Sequence, residues 1–153
     1  MLSFALPVIR PATSDDAKAI AALIQRTLQV SNAADYSVDE ITNVYAGFSA
    51  GQVRERMARQ DVFVAALEDS GEIIGTVGYG GGELWALFVA PEHQRLGLGS
   101  ALVAHVEAHA RNRGLRRIVL SASRTGIDFY EQLGYSQAGA PHRGGWPMGK
   151  LLD

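Results

Sequence analysis

Gln94-Arg95-Leu96-Gly97-Leu98-Gly99 stands between an apolar segment ending near Ala90 and a helical pattern that begins at Leu98, with Ser100 directly after it. That order suits a phosphate site. Gly97 and Gly99 accept dihedrals that other residues resist, so consecutive backbone N–H groups can face one anion while the helix adds the positive end of its dipole. Gly-x-Gly turns also serve ordinary strand-to-helix connections, so the surroundings must decide the ligand. A dinucleotide pattern asks for Gly or Ala where Leu102 stands, a tight turn where Pro91 to Leu96 intervene, and an acid after the next strand, which closes in Ser121. His105 and His109 have the i, i+4 spacing of a metal pair. The metalloprotease pattern, however, needs glutamate directly after the first histidine, where Val106 stands, and no third ligand is evident, so no metal site is expected.

These residues need a scaffold, and the chain supplies one in order. Val8 to Pro11 reads as a short strand, and Ser14-Asp15-Asp16 offers a cap and first-turn acids to an amphipathic helix through about Leu28, with Ile20, Leu23, Ile24 and Leu28 on its apolar face. Ser31 to Phe48 is polar and broken, with a short helix expected at Val38–Tyr45; another helix is expected from about Ala50 to Arg59. Val62–Leu67 and Ile73–Tyr79 form a hairpin pattern across Glu68-Asp69-Ser70-Gly71-Glu72, and Gly80-Gly81-Gly82 leads to the Leu84–Ala90 strand. Leu98 to about Asn112 repeats apolar residues at helical spacing and meets Gly114 as a C-cap. Arg117–Ser121 is a strand, Gly126–Leu133 a short helix, and Tyr135–Gln137 and Met148–Leu151 are terminal strands. The order implies an α/β, α+β-type mixed sheet with helices on both faces.

At 153 residues and 47% hydrophobic, the chain accommodates one well-buried core, so residues 1–153 are expected to form a single domain. Fourteen Lys and Arg against sixteen Asp and Glu give a net charge of -2, which lacks the basic excess of a nucleic-acid surface. The absence of cysteine removes disulfides and any acyl-cysteine intermediate. No apolar run approaches the ~20 residues of a membrane span, so the expectation is a cytoplasmic protein, monomer or homodimer, without membrane association.

Gln94, Gly97 and Gly99 also match the Q/R-x-x-G-x-G/A signature, and Phe129-Tyr130-Glu131-Gln132-Leu133-Gly134-Tyr135 is similar to the F-Y-E-K-L-G-F stretch of the same family. On these two segments the chain resembles the GNAT superfamily of acyl-CoA-dependent N-acetyltransferases. Three positions depart from the family pattern: its frequent Asn is Ser123, its usual Ala is Gly126, and its usual Lys is Gln132. The resemblance implies that acetyl-CoA is the cosubstrate. It implies that Gln94 belongs to the cofactor site and that Arg95, Leu96, Gly97, Leu98, Gly99 and Ser100 cradle the pyrophosphate through backbone N–H groups. The backbone of Leu87, Phe88 and Val89 would pair with pantetheine amides, much as a strand adds to an open edge, and the Val89 N–H would meet the thioester carbonyl. Ser123 and Phe129 would flank the thiol end.

With no cysteine, direct attack of an amine on the thioester is the economical route. An amine with pKa ~10.4 facing a glutamate at ~4.3 would transfer its proton about 6 units uphill, roughly 8 kcal/mol, so a plain carboxylate is a poor base unless burial, desolvation or a water chain helps. Glu83 is the candidate, because it opens the motif strand and resembles the base glutamate of the histone-acetylating branch. A solvated strand-entry acid is the alternative. Tyr130 is the candidate general acid, although a phenol near 10 facing a thiol near 8.5 leaves full transfer uphill by roughly 2 kcal/mol. Asp35, Asp39 and Glu40, near Tyr36 and Tyr45, suit either a pocket for a cationic amine or a solvated helix start. Gly144-Gly145-Trp146-Pro147 would interrupt the C-terminal hairpin, and Arg111, Arg113, Arg116 and Arg117 would either meet the 3′-phosphate or cover a solvated helix end. The expectation is an N-acetyltransferase acting on a primary amine. A non-catalytic acyl-CoA sensor and a nucleotide-binding domain are the alternatives.

Overall fold

A computed structural model describes residues 7–30, 48–142 and 145–153. The expected Val38–Tyr45 helix, the Asp35, Asp39, Glu40, Tyr36 and Tyr45 group, and Gly144 lie outside these residues. The strands are β1 (Pro7–Pro11), β2 (Asp61–Leu67), β3 (Ile73–Gly80), β4 (Glu83–Val89), β5 (Arg117–Ala122), β6 (Ser136–Gln137) and β7 (Trp146–Leu151). The α-helices are α1 (Ala17–Val30), α2 (Ala50–Arg59), α3 (Leu98–Asn112) and α4 (Ile127–Gln132). The strands form one sheet in the order β1-β2-β3-β4-β5-β7-β6, in which β4 and β5 pair parallel and the other neighbours antiparallel. This is the mixed sheet that the element order implies.

Successive side chains of a strand point to opposite faces, and both faces here are buried, which explains the nearly continuous apolar run of β2. Val62 and Val64 face α1 and α2 and pack with Ile20, Ile24, Leu28 and Val53. Phe63 and Ala65 face the other way and join Leu102, Val103, Val106 and Ala110 of α3, together with Leu84, Ile118, Leu120 and Tyr130. Leu102 is wholly buried; truncating a side chain so placed to alanine costs ~2–5 kcal/mol. Helices therefore cover both faces of a single sheet.

Local rules set the element ends. The cap before α1 is Thr13, one residue earlier than the sequence suggests, because Ser14–Asp16 turns as a 3-10 helix. Asp16 accepts from the Thr13 N–H at 2.7 Å and pairs with the Arg10 guanidinium at 2.8 and 3.1 Å. That pair joins β1 to α1. On the opposite face, the buried Glu107 accepts from the Tyr135 hydroxyl at 2.9 Å and from Lys150 Nζ at 3.1 Å, while Lys150 also donates to the Leu133 carbonyl at 2.7 Å. One buried carboxylate thus joins α3 to β7 and to the residues after α4. Trp146 and Pro147, expected to interrupt the C-terminal hairpin, instead open β7 and pair with Ala122 and Ser121.

β4 carries the irregularity that matters for ligand binding. Trp85 pairs with Gly78 and Phe88 with Thr76, so Ala86 and Leu87 oppose the single residue Val77. This is a β-bulge, and Ala86 occupies it with φ of 51°, a left-handed conformation that costs a non-glycine residue ~1–2 kcal/mol. On its other edge β4 pairs with β5 only at Glu83–Val119, next to a Val119 N–H bond to the Gly82 carbonyl at 3.0 Å. Beyond Glu83 the two strands have no pairing, and the sheet has a cleft.

Candidate active site

α3 begins where the phosphate motif predicts. Gly97 is its N-cap at φ of 85°, no side chain caps it, and Arg95 is also left-handed at φ of 64°. The first amides of an α-helix have no partner within it, so Leu98, Gly99 and Ser100 present unpaired N–H groups at the positive end of the dipole. Two left-handed residues flanking Leu96 bend the preceding chain toward the same point, a concave arrangement of amides suited to anions. Leu98 is buried and anchors the helix start, while Leu96 is 76% exposed at the loop tip. Gly99 has a second reason to be glycine: a Cβ there would lie 3.2 Å from Phe129 Cζ and 3.9 Å from Val89 Cγ2. Phe129 therefore packs against the loop-bearing turn.

The cleft edge of β4 follows from alternation. The Ala90 N–H donates to the Ile74 carbonyl on β3 at 2.8 Å. Counting back with period two, the Phe88 backbone also faces β3, whereas the Leu87 and Val89 amides face the open edge. Of the three residues assigned to pantetheine, two thus offer their N–H groups and Phe88 does not. Gln94 turns back toward the strand, and its Nε2 donates to the Val89 carbonyl at 2.9 Å. The signature glutamine fixes the end of the cleft edge, and this bond occupies an acceptor that a pantetheine amide would otherwise meet.

Tyr130 lies on the α3 face with its ring 5.0 Å from that of Phe129 and 5.8 Å from that of Tyr135. It is 9% exposed, and burial pushes its phenol well above the ordinary tyrosine value, so it stays protonated across any physiological pH. Among the described residues its hydroxyl has no hydrogen-bond partner. Gly126 lies against both Ser123 and this ring: a Cβ there would crowd Ser123 Oγ at 3.1 Å and make ordinary contact with Tyr130 Cε2 at 3.7 Å. Ser123, Gly126, Phe129 and Tyr130 thus form one group beside the residues of the cleft edge, Leu87 and Val89, which pack on the same core.

Glu83 stands at the closed end of the cleft and is exposed. Its neighbour Leu84 is buried on the α3 face, so alternation directs Glu83 and Trp85 to the α1/α2 face. The candidate acid and the candidate base therefore occupy opposite faces of β4. The arginines Arg111, Arg113, Arg116 and Arg117 lie at or beyond the far end of α3, about 20 Å from the phosphate loop at 1.5 Å per residue. Arg113 and Arg111 approach Asp61 and Glu107, each at 3.9 Å. His109 Nε2 is 2.9 Å from Asp61 Oδ2, and both His105 and His109 pack edge-on against Phe63. Desolvation holds His105 below its ordinary value. Among the described residues no group of three His, Asp or Glu side chains is placed to hold a metal. Trp146 lies beside Arg124, whose guanidinium carbon is 5.9 Å from its ring centroid.

Comparison with known proteins follows this geometry. Residues 32–146 match the family model described as the acetyltransferase (GNAT) domain. No curated protein sequence matches the chain. Among solved structures, a GCN5-related N-acetyltransferase from Rhodopseudomonas palustris superposes with a TM-score of 0.84 at 23% identity, covering 99% of each chain. PaiA N-acetyltransferase from Thermoplasma acidophilum, solved with coenzyme A, superposes at 0.85 with 18% identity over 95% of this chain and 99% of its own. The YncA acetyltransferase structure from Salmonella typhimurium, which holds acetyl-CoA, gives 0.68 at 20% identity over 96% and 94%. An α/β domain with a left-handed turn before an uncapped helix start and a split parallel strand pair is the class that fold and site define. The chain belongs to the GNAT acetyltransferase family.

Proposed function

We propose that this protein transfers the acetyl group of acetyl-CoA to a primary amine. The observation that carries the reading is the loss of β4–β5 pairing after Glu83, which leaves the Leu87 and Val89 amides facing a cleft that ends at the start of α3. An extended chain bearing amides at one end and phosphates at the other fits that path. Its phosphates would meet the turn from Arg95 to Ser100, and its amides would complete the β4 edge as an added strand does.

In the transfer, the amine nitrogen bonds to the thioester carbonyl carbon, the carbonyl oxygen becomes an oxyanion, and the C–S bond then breaks to release the thiolate, which takes up a proton from water. Cleft-facing β4 amides are placed to donate to that oxyanion, which carries full charge only in the tetrahedral species. Tyr130 stabilises the departing sulfur by hydrogen-bond donation, because its buried phenol is too weak an acid to hand over its proton fully. Glu83 is exposed and starts the strand about 13 Å from Leu87 at ~3.3 Å per residue, so the amine proton reaches it through water. Attack from the α1/α2 face and departure toward the α3 face separate these two groups.

Thermal stabilisation by acetyl-CoA, followed by a screen of amines for CoA release, tests the reading. Both signals are expected, and stabilisation without release from any amine would assign the chain to sensing instead. Glu83→Gln should lower turnover most at low pH and leave acetyl-CoA affinity intact. An unchanged pH–rate profile would remove Glu83 from the mechanism.

A further inference from the structure

Arg56 of α2 is half-buried on the same face of β4 as Trp85. Its guanidinium carbon lies 4.8 Å from the centroid of the Phe48 ring and 4.7 Å from that of Trp85, so the group is held between two aromatic faces. Stacking uses the faces of a guanidinium and leaves the N–H fork in its plane unspent. No carboxylate among the described residues pairs with it. Burial and the neighbouring Arg59 both disfavour its charge, so nothing described compensates it.

The surroundings repeat the pattern. Arg56 lines both a cavity of about 10 Å³, together with Ile24, Phe48, Val53, Trp85 and Ala86 among others, and an open groove of about 430 Å³. The groove is lined by Gln52, Arg56, Arg59, Gln60, Gly80 and Gly81, with two cations and no acid. Trp85 Nε1 is buried without a hydrogen-bond partner among the described residues, a second donor awaiting an acceptor. Trp85 is held flat, because its indole lies across Gly78, where any Cβ would be within 2.4 Å of ring atoms. A rigid donor and a pre-stacked cation lie on one side of the bulge.

We infer that Arg56 binds a carboxylate on the acceptor, and that the acceptor is a small amine carrying that carboxylate, an amino acid. The inference rests on the proposed acetyl transfer and names the substrate class of that site. Glu83 and Trp85 project from the same face two residues apart, about 7 Å along the strand. Trp85, on which Arg56 stacks, also stands two residues before Leu87, so an amine at the cleft edge and an anion at Arg56 are separated by about 7 Å or less, a few bonds. The planar fork of arginine matches the two oxygens of a carboxylate, and the partial exclusion of water strengthens that pair.

The test is binding of amino acids to the protein saturated with CoA, by calorimetry, each against the amine lacking its carboxylate, such as L-lysine against 1,5-diaminopentane and L-phenylalanine against phenethylamine. At least one amino acid is expected to bind tenfold or more tighter than its counterpart. Arg56→Gln should remove that preference while the thermal shift given by acetyl-CoA stays at its wild-type size, and Arg56→Lys, which keeps charge without the fork, should weaken it without reversing it. Equal binding within every pair, or a preference that survives in Arg56→Gln, would overturn the inference. CoA release is followed in parallel with acetyl-CoA in place of CoA, so failure of transfer is read separately from failure of carboxylate recognition.

Discussion

Replacing Tyr130 by Phe removes one oxygen from a side chain that is 9% exposed and whose hydroxyl has no partner among the described residues. The ring contacts with Phe129 and Tyr135 would survive. Stability should therefore stay within ~1 kcal/mol of wild type, a shift in Tm of no more than about 4 °C for a domain of this size. Catalysis should not be spared. A hydrogen bond to a charged group contributes ~1.5–3 kcal/mol, which corresponds to about 10–150-fold in rate. Full proton transfer would place the loss higher, at ~10²–10⁴-fold, but burial raises the phenol and moves it further from the thiol it would have to protonate. The lower range is thus the expected one. Single-turnover acetyl transfer, measured with calorimetry and acetyl-CoA titration on the same preparation, checks all three quantities. A wild-type single-turnover rate would refute the role of the hydroxyl, and a large loss of Tm would show that it is structural.

Three further outcomes follow from the same structure. Gln94→Leu removes the 2.9 Å bond to the Val89 carbonyl, so scanning calorimetry should show a loss of ~0.5–1.5 kcal/mol together with weaker acetyl-CoA binding; wild-type values of both would remove the bracing role. Deletion of Ala86 restores one-to-one pairing of β3 and β4, and the protein should fold yet lose its thermal response to acetyl-CoA, a retained response being the refuting result. Asp16 is held below its ordinary value chiefly by its hydrogen bond to Arg10. Its stabilisation is complete above the unfolded carboxylate value of ~3.9 and is lost as pH falls through the lower folded value. Acid titration of Asp16→Asn should accordingly show a flatter decline in Tm below about pH 4 than wild type.

Helices and strands were legible where periodicity and end signals agreed. The bounds of α3 follow from its apolar spacing and Gly114, and α2 covers the expected Ala50–Arg59, with Ser49 accepting from the Gln52 N–H as its cap. Two glycines marked the turn before α3, where Gly97 is left-handed and caps the helix, and the tyrosine motif marked the short helix that carries Tyr130. Contacts formed by the backbone were hidden. Ala86 gives no signal of its left-handed conformation, since strand neighbours and not its own type impose it. Gln94 is equally suited to a ligand or to Val89, and only the turn at Pro91–His93 decides. Arg56 reads as a surface charge on a polar helix until Phe48 and Trp85 enclose it. Glu107 gives no sequence signal of its partners, Tyr135 and Lys150, which are distant along the chain. The arginines after residue 110 form a cluster in sequence, but the length of α3 carries them away from the turn at Gly97.

The bulge explains why these parts act together. A regular β4 would keep its hydrogen-bonding edge parallel to β5 along its whole length, and the amides of Leu87 and Val89 would be consumed by the sheet. One additional residue increases the local twist and bends the strand, so pairing to β5 ends at Glu83 while pairing to β3 resumes at Phe88. The alternation of faces also resets: Leu84 and Leu87, three apart, both face the α3 side, and Trp85 and Phe88 both face α1 and α2. Tyr130 thereby meets the strand from one side and Arg56 from the other. The strain at Ala86 is ~1–2 kcal/mol, small against a buried core on both faces. A local cost of that size opens the edge and leaves Tyr130 on one side of the strand and Arg56 with Trp85 on the other.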